Sequence, residues 1–179
     1  MRRSIQSLIV GVWAIVGVAV MTSSAMAAES RRESATVSFG QWRTDLDPPL
    51  DRVETPSPGM GVGNNNEVIP DVVTIFEGGA VNFIIAGFHQ PAIYNDHKKP
   101  DEVDVSSPLP GNGGGIINDS VRRVFRGLDP NLATTPRDRV EVVHFAEPGL
   151  YLVICGVVSH LVNNQMYGYV RVLPQLPKK

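Results

Sequence analysis

Tyr151-Leu-Val-Ile-Cys155-Gly-Val-Val-Ser-His160-Leu-Val-Asn-Asn-Gln-Met166-Tyr-Gly-Tyr-Val-Arg-Val172 decides how the rest of the chain is read. It holds the only cysteine among 179 residues. A histidine stands five positions later and a methionine six after that. Both flanks, Leu150 to Ile154 and Tyr167 to Leu173, are rich in β-branched and aromatic residues and read as buried strands. Thiolate, imidazole and thioether on one connection form a soft donor set, the kind that suits copper. Such a set needs a second imidazole, a rigid scaffold and the right compartment.

Upstream, Val72-Val-Thr-Ile-Phe76 and Ala80-Val-Asn-Phe-Ile-Ile-Ala86 flank the turn Glu77-Gly78-Gly79. They read as a β-hairpin with Val81, Phe83 and Ile85 on one face. The second strand runs into Gly87-Phe88-His89-Gln90, which supplies a further imidazole at a strand end. Ala35 to Trp42 alternates as a first strand, and Arg139 to Phe145 as a later one, followed by the turn Ala146 to Gly149. Residues 43–66 hold four prolines and read as loop. Residues 95–138 read as a long insertion over the domain, with Gly111-Asn-Gly-Gly-Gly115 as a flexible spacer. Within it, Ile116 to Leu128 suits a strand or a helical turn. No other helix is expected. Short strands with Gly/Pro turns indicate an all-β sandwich or barrel.

The chain opens with Met1-Arg2-Arg3, then the apolar run Leu8 to Val20, then Ala25-Met26-Ala27. That pattern is expected to be a signal peptide over 1–27, placing the protein in the periplasm or outside the cell with no membrane span after cleavage. The formal net charge is −2, and losing Arg2 and Arg3 leaves 14 basic against 18 acidic side chains, a net of −4. A mildly acidic protein is not built to neutralise phosphates, which argues against nucleic acid. In an exported chain a lone cysteine has no partner for an internal disulfide, which leaves an intermolecular bridge, a reactive thiol, a plain buried thiol or a metal ligand as its role.

Cys155, His160, Met166, Gly168 and Val170 resemble the C-terminal signature of cupredoxins, the plastocyanin- and azurin-like type 1 blue copper proteins. Glu147-Pro-Gly-Leu-Tyr151 is similar to the turn that precedes the cysteine there, and the segment leading to His89 is similar to the one that delivers the first histidine. The resemblance covers about 67–94 and 139–173. It implies a Greek-key β-sandwich or barrel with a long mid-chain insertion. The expected organisation is an N-terminal strand and extension over 28–66, a copper-binding domain over 67–174 containing the 95–138 insertion, and a tail over 175–179. It implies one type 1 copper held by His89, Cys155, His160 and an axial Met166. The implied function is single-electron shuttling between redox protein partners, with no enzymatic activity. His160 would sit near the surface, with Val157, Val158, Leu161, Phe88 and Pro91 as a docking patch.

The sequence departs from the pattern in places. Five residues separate His160 from Met166, slightly more than usual, and Gln165 offers an amide oxygen as an alternative axial ligand. Gln90 stands where Asn is common after the first histidine, which puts the usual hydrogen bond beside the site in question. Ser159, not proline, precedes His160. His97 lies in a charged loop, and His144 is expected to face outward. A copper carrier or delivery protein is the alternative function, but such sites are Met- and His-rich, and only Met60 lies apart from the site region after residue 27. Copper enzymes of the oxidase type need His-x-His pairs, and the four histidines here form none. A metal-free adhesion module is the remaining alternative.

Overall fold

A computed structural model of the chain describes residues 33–40, 54–56, 62–64, 66–95 and 97–175, the second and third of these as backbone alone. The expected signal peptide and the last four residues lie outside the described residues. In chain order the strands are β1 (Ser34–Phe39), β2 (Glu54–Pro56), β3 (Val62–Asn64), β4 (Val68–Ile69), β5 (Val72–Phe76), β6 (Ala80–Ala86), β7 (Pro91–Tyr94), β8 (Arg123–Arg126), β9 (Asp138–His144), β10 (Gly149–Cys155) and β11 (Tyr167–Leu173). One helix, α1 (Val158–Asn164), joins β10 to β11, and a 3₁₀ turn spans Pro100–Glu102.

Two mixed sheets form the sandwich. One has the order β4-β1-β6-β9, the other β5-β11-β10-β7-β8, and β2 pairs with β3 in a separate ribbon. Strand β1 runs parallel to β6, and β11 parallel to β5, while the other pairs are antiparallel. The sheets are open, so the architecture is a sandwich and not a closed barrel.

The hairpin expected over 72–86 is not formed. β5 belongs to the five-stranded sheet and β6 to the four-stranded one, so Glu77-Gly78-Gly79 carries the chain from one layer to the other. Pattern alone cannot separate the two cases, because a strand packed in either layer alternates with the same period of two. The β2–β3 ribbon also departs from the loop expected over 43–66. Three-residue strands are too short to show any period.

Alternation explains the core. Val81, Phe83 and Ile85 of β6 are each fully buried and face Tyr151, Val153 and Cys155 of β10 within one cluster. Phe39 meets Phe83 edge-to-face at 5.8 Å. The intervening β10 residues, Leu152 and Ile154, face the opposite way but are also buried, in a second cluster with Tyr94, Val103, Ile117 and Leu161. β10 is therefore apolar on both sides, which is why it reads as a continuous hydrophobic run. Val103 and Ile117, from the 95–138 segment, cover that outer face, and β8 adds an edge strand through its pairing with β7. Removing one methylene from the main cluster by Ile85→Val should cost about 0.5–1.5 kcal/mol in urea unfolding. A loss near zero would mean the site can collapse around the gap.

Candidate metal centre

His89 lies on the connection from β6 to β7, where the chain passes between sheets. Its carbonyl accepts a hydrogen bond from Arg139 Nη2 (2.9 Å), and Arg139 Nε donates to Glu141 Oε1 (2.7 Å). Those bonds fix the backbone on which the imidazole turns inward, leaving the residue 1% exposed. Cys155 closes β10 with no exposed surface. Its N–H donates to Met166 O (2.9 Å), and Met166 N–H donates to His160 O (3.0 Å). Cys155, His160 and Met166 are thus tied backbone to backbone at one end of the β10–β11 pair.

That connection is not the simple loop the sequence suggests. Residues 158–164 form α1, with His160 in its first turn and Leu161 buried against the outer cluster. The helix ends where Gln165 enters the left-handed region (φ 52°) and donates its N–H to Leu161 O. Seven residues containing Val158, Val162 and two asparagines are too few, and too weak in helix propensity, to announce a helix.

Three donor atoms converge. His89 Nδ1 and His160 Nδ1 are 3.1 Å apart, and Cys155 Sγ lies 3.7 Å from the first and 3.5 Å from the second. From those sides, the point equidistant from all three lies about 2.0 Å from each, against ~2.0–2.1 Å for a zinc–imidazole bond and ~2.3 Å for a zinc–thiolate bond. Among the described residues, this is the group of histidine, cysteine and acidic side chains with metal-binding spacing. Its chemistry suits a soft or borderline transition metal, since two imidazoles and a thiolate in one plane make a trigonal set. The fit is therefore good for copper.

The electrostatics point the same way. Burial lowers His89 to about 3, helped by His160 and Arg139, and burial lowers His160 to about 4. Both rings are neutral at pH 7 and keep a lone pair for a cation. Burial pushes the Cys155 thiol up to about 11, against the backbone N–H groups of Gln90 and Val157 that are aimed at its sulfur. An enclosed thiolate is costly without a cation beside it.

Gln90 takes a different part from the one its position suggested. Its side-chain Nε2 donates to Gly127 O (2.7 Å), its carbonyl accepts from Gly156 N–H (2.6 Å), and its own N–H serves the sulfur. The side chain braces the β8–β9 connection while the backbone supports Cys155. The ring of Phe39 stands edge-on to His89 and that of Phe88 edge-on to His160, each at 6.5 Å. Met166 is 1% exposed in the same cluster as Cys155, whereas Gln165 is exposed.

The expected docking patch is smaller than the sequence suggested. Val157, Leu161 and Pro91 are buried; His160, Val158 and Phe88 are partly exposed. Leu161 is turned inward by α1, and Val157, the extended residue just before it, is buried where it bridges Ile116. His144 faces outward, and His97 is exposed.

No protein-family model matches the chain, and no curated protein matches it. Among solved structures it is similar to dithionite-reduced auracyanin from Roseiflexus castenholzii, at 18% identity over 60% of this chain and 88% of that one (TM-score 0.42). It is also similar to oxidised plastocyanin from Dryopteris crassirhizoma, at 18% identity over 78% of this chain and 100% of that one (TM-score 0.39). A third is auracyanin A, a blue copper protein from Chloroflexus aurantiacus, at 13% identity over 78% of this chain and 98% of that one (TM-score 0.41). The strand order of this chain, taken by itself, is that of an open two-sheet all-β sandwich.

Proposed function

We propose that this chain binds one copper ion of type 1 character and carries single electrons between redox protein partners. The observation that carries the reading is the triangle of His89 Nδ1, Cys155 Sγ and His160 Nδ1. Bound copper supplies a one-electron couple. The residues present would keep those donors in one place for both oxidation states, so that little rearrangement accompanies transfer. Met166 would offer the ion a thioether, a role supported by its burial in the same cluster as Cys155 and by the exposure of Gln165. Phe39, Phe88 and the packed ends of β6 and β10 keep water from the sulfur. The partly exposed edge of His160 is the contact point for a partner, and a small interface there would let partners part quickly.

The delivery alternative is less well supported. A protein that hands its metal on needs ligands within a partner's reach, and His89 and Cys155 are enclosed. Periplasmic or extracellular location follows from the signal expected over 1–27. Among the described residues, no helix is long and apolar enough to cross a membrane. The decisive experiment is a Cu(II) titration of the purified chain, followed in the visible spectrum. An intense thiolate-to-copper band saturating at one copper per chain is expected. Absence of that band would sink the reading.

A further inference from the structure

Helix α1 begins without a side-chain cap, because Val157 stands at its N-cap. The first N–H groups of any helix need partners from outside it. Here a backbone loop provides them. Val158 N–H donates to Gly115 O (3.0 Å) and Ser159 N–H to Gly113 O (2.9 Å). Just before them, Ile117 N–H donates to Gly156 O (2.8 Å), and Ile116 forms a bridge with Val157. Residues 113–117 therefore run alongside 156–159, from the neighbour of Cys155 to the neighbour of His160.

The loop is itself tied down, although its glycines suggest a flexible spacer. Leu109 and Ile116 exchange hydrogen bonds of 2.8 and 2.9 Å. Asn112 N–H donates to Asn131 Oδ1 (2.8 Å), and Asn131 in turn donates its N–H and Nδ2 to Asp129 Oδ1 (2.9 and 3.0 Å). The glycines serve close approach. Gly113 and Gly114 both have positive φ, at 67° and 82°. A Cβ on Gly113 would lie 2.6 Å from Val157 Cγ1 and 3.1 Å from Ser159 Oγ, whereas one on Gly114 would lie 3.6 Å from its nearest neighbour, Val158 Cβ.

We propose that the Gly113–Gly115 loop, anchored through Asn112 and Asn131, is a clamp that positions His160 for the metal. The inference rests on the copper reading and concerns how this chain holds one ligand. A seven-residue helix has little stability of its own, so its direction is set by what grips its ends. His160 is the third residue of that helix, directly after the two whose N–H groups the loop accepts. Loosening the loop lets the first turn fray and the imidazole swing from Cys155 and His89.

Three variants test it. Gly113→Ala and Gly114→Ala both place a side chain at positive φ and carry similar backbone strain, but only the first runs into Val157. Asn131→Leu removes the acceptor for Asn112 N–H and leaves the three glycines unchanged, and decides the matter should Gly113→Ala not fold. With Cu(II) as the probe, Gly113→Ala and Asn131→Leu should shift the thiolate-to-copper band and the copper hyperfine splitting. They should also release copper to a chelator about 10- to 100-fold faster. In the metal-free chain, hydrogen exchange at the Val158 and Ser159 amides should speed up in both. Gly114→Ala should stay near the parent throughout. If the parent binds copper and both disruptive variants keep its spectrum, release rate and amide protection, the clamp is wrong and the copper reading stands. If the parent binds no copper, that reading fails; unchanged amide exchange then overturns the clamp as well, and faster exchange supports the loop's grip on α1.

Discussion

Cys155→Ser should abolish the visible charge-transfer band and lower copper affinity by more than about 100-fold, beyond what loss of a supporting contact costs. A serine hydroxyl does not ionise in this range and offers a hard oxygen in place of a soft sulfur. The metal-free chain should lose only about 1 kcal/mol, because serine is smaller but accepts the same hydrogen bonds from the Gln90 and Val157 backbone. Chelator competition and urea unfolding separate the two effects; a band that persists in the variant contradicts the assignment.

The same site makes a prediction about protons. At pH 7 the thiol is protonated and both imidazoles are neutral. Copper uptake should therefore release about one proton, and affinity should rise about tenfold per pH unit between about pH 5 and pH 10. Below that range the imidazoles begin to compete for protons and the slope should steepen. A pH-independent affinity at neutral pH would show that the thiolate is not the ligand.

Asp119→Ala should destabilise the chain by about 3–5 kcal/mol, the usual cost of leaving a buried charge without its partner. Lys98 and Asp119 form an ion pair with side chains 5% and 3% exposed. Lys98 Nζ also donates to Val121 O (3.1 Å) and sits 4.7 Å from the Tyr94 ring centroid. Asp119 Oδ2 accepts Asp104 N–H (3.0 Å) and Oδ1 accepts Val121 N–H (2.8 Å). The pair thus gathers residues 98, 104 and 121 over the outer face of the five-stranded sheet. Burial raises the Asp119 pKa, but the bonds from Lys98, Asp104 and Val121 outweigh it and leave the group below its ordinary value. A carboxyl lowered on folding stabilises above its unfolded pKa, so this contribution is present above about pH 4 and lost as the pH falls further. Thermal unfolding of Asp119→Ala and Lys98→Met/Asp119→Leu checks the claim. The double variant should recover most of the loss, and equal destabilisation in both would mean that the pairing contributes little.

The strand faces were legible because alternation is a local property: Val81, Phe83 and Ile85 point one way whatever layer β6 joins. The layer was not legible, since Glu77-Gly78-Gly79 suits a hairpin as well as a crossing. Cys155 and His160 could be associated from their spacing, while His89 could be joined to them only through the resemblance. Helix α1 was hidden by its length and by Val158 and Val162. The part of the Gly113–Gly115 loop was hidden because glycine marks freedom and close approach alike; only neighbours such as Val157 tell which applies. No local pattern pairs Lys98 with Asp119, 21 residues apart, and their burial depends on Tyr94 and the sheet beneath.

The crossing of the chain between layers has a consequence for the order of assembly. His89 is 66 residues from Cys155 and 71 from His160 in sequence. The first arrives on the link between the two sheets, and the others on the link between the last two strands. Contacts that close loops of this length form late, since the chain entropy they cost must first be offset by packing. Copper would therefore meet its full donor set only after both layers have docked. On the proposed reading, a site with all its donors would mark a chain whose two layers have already met.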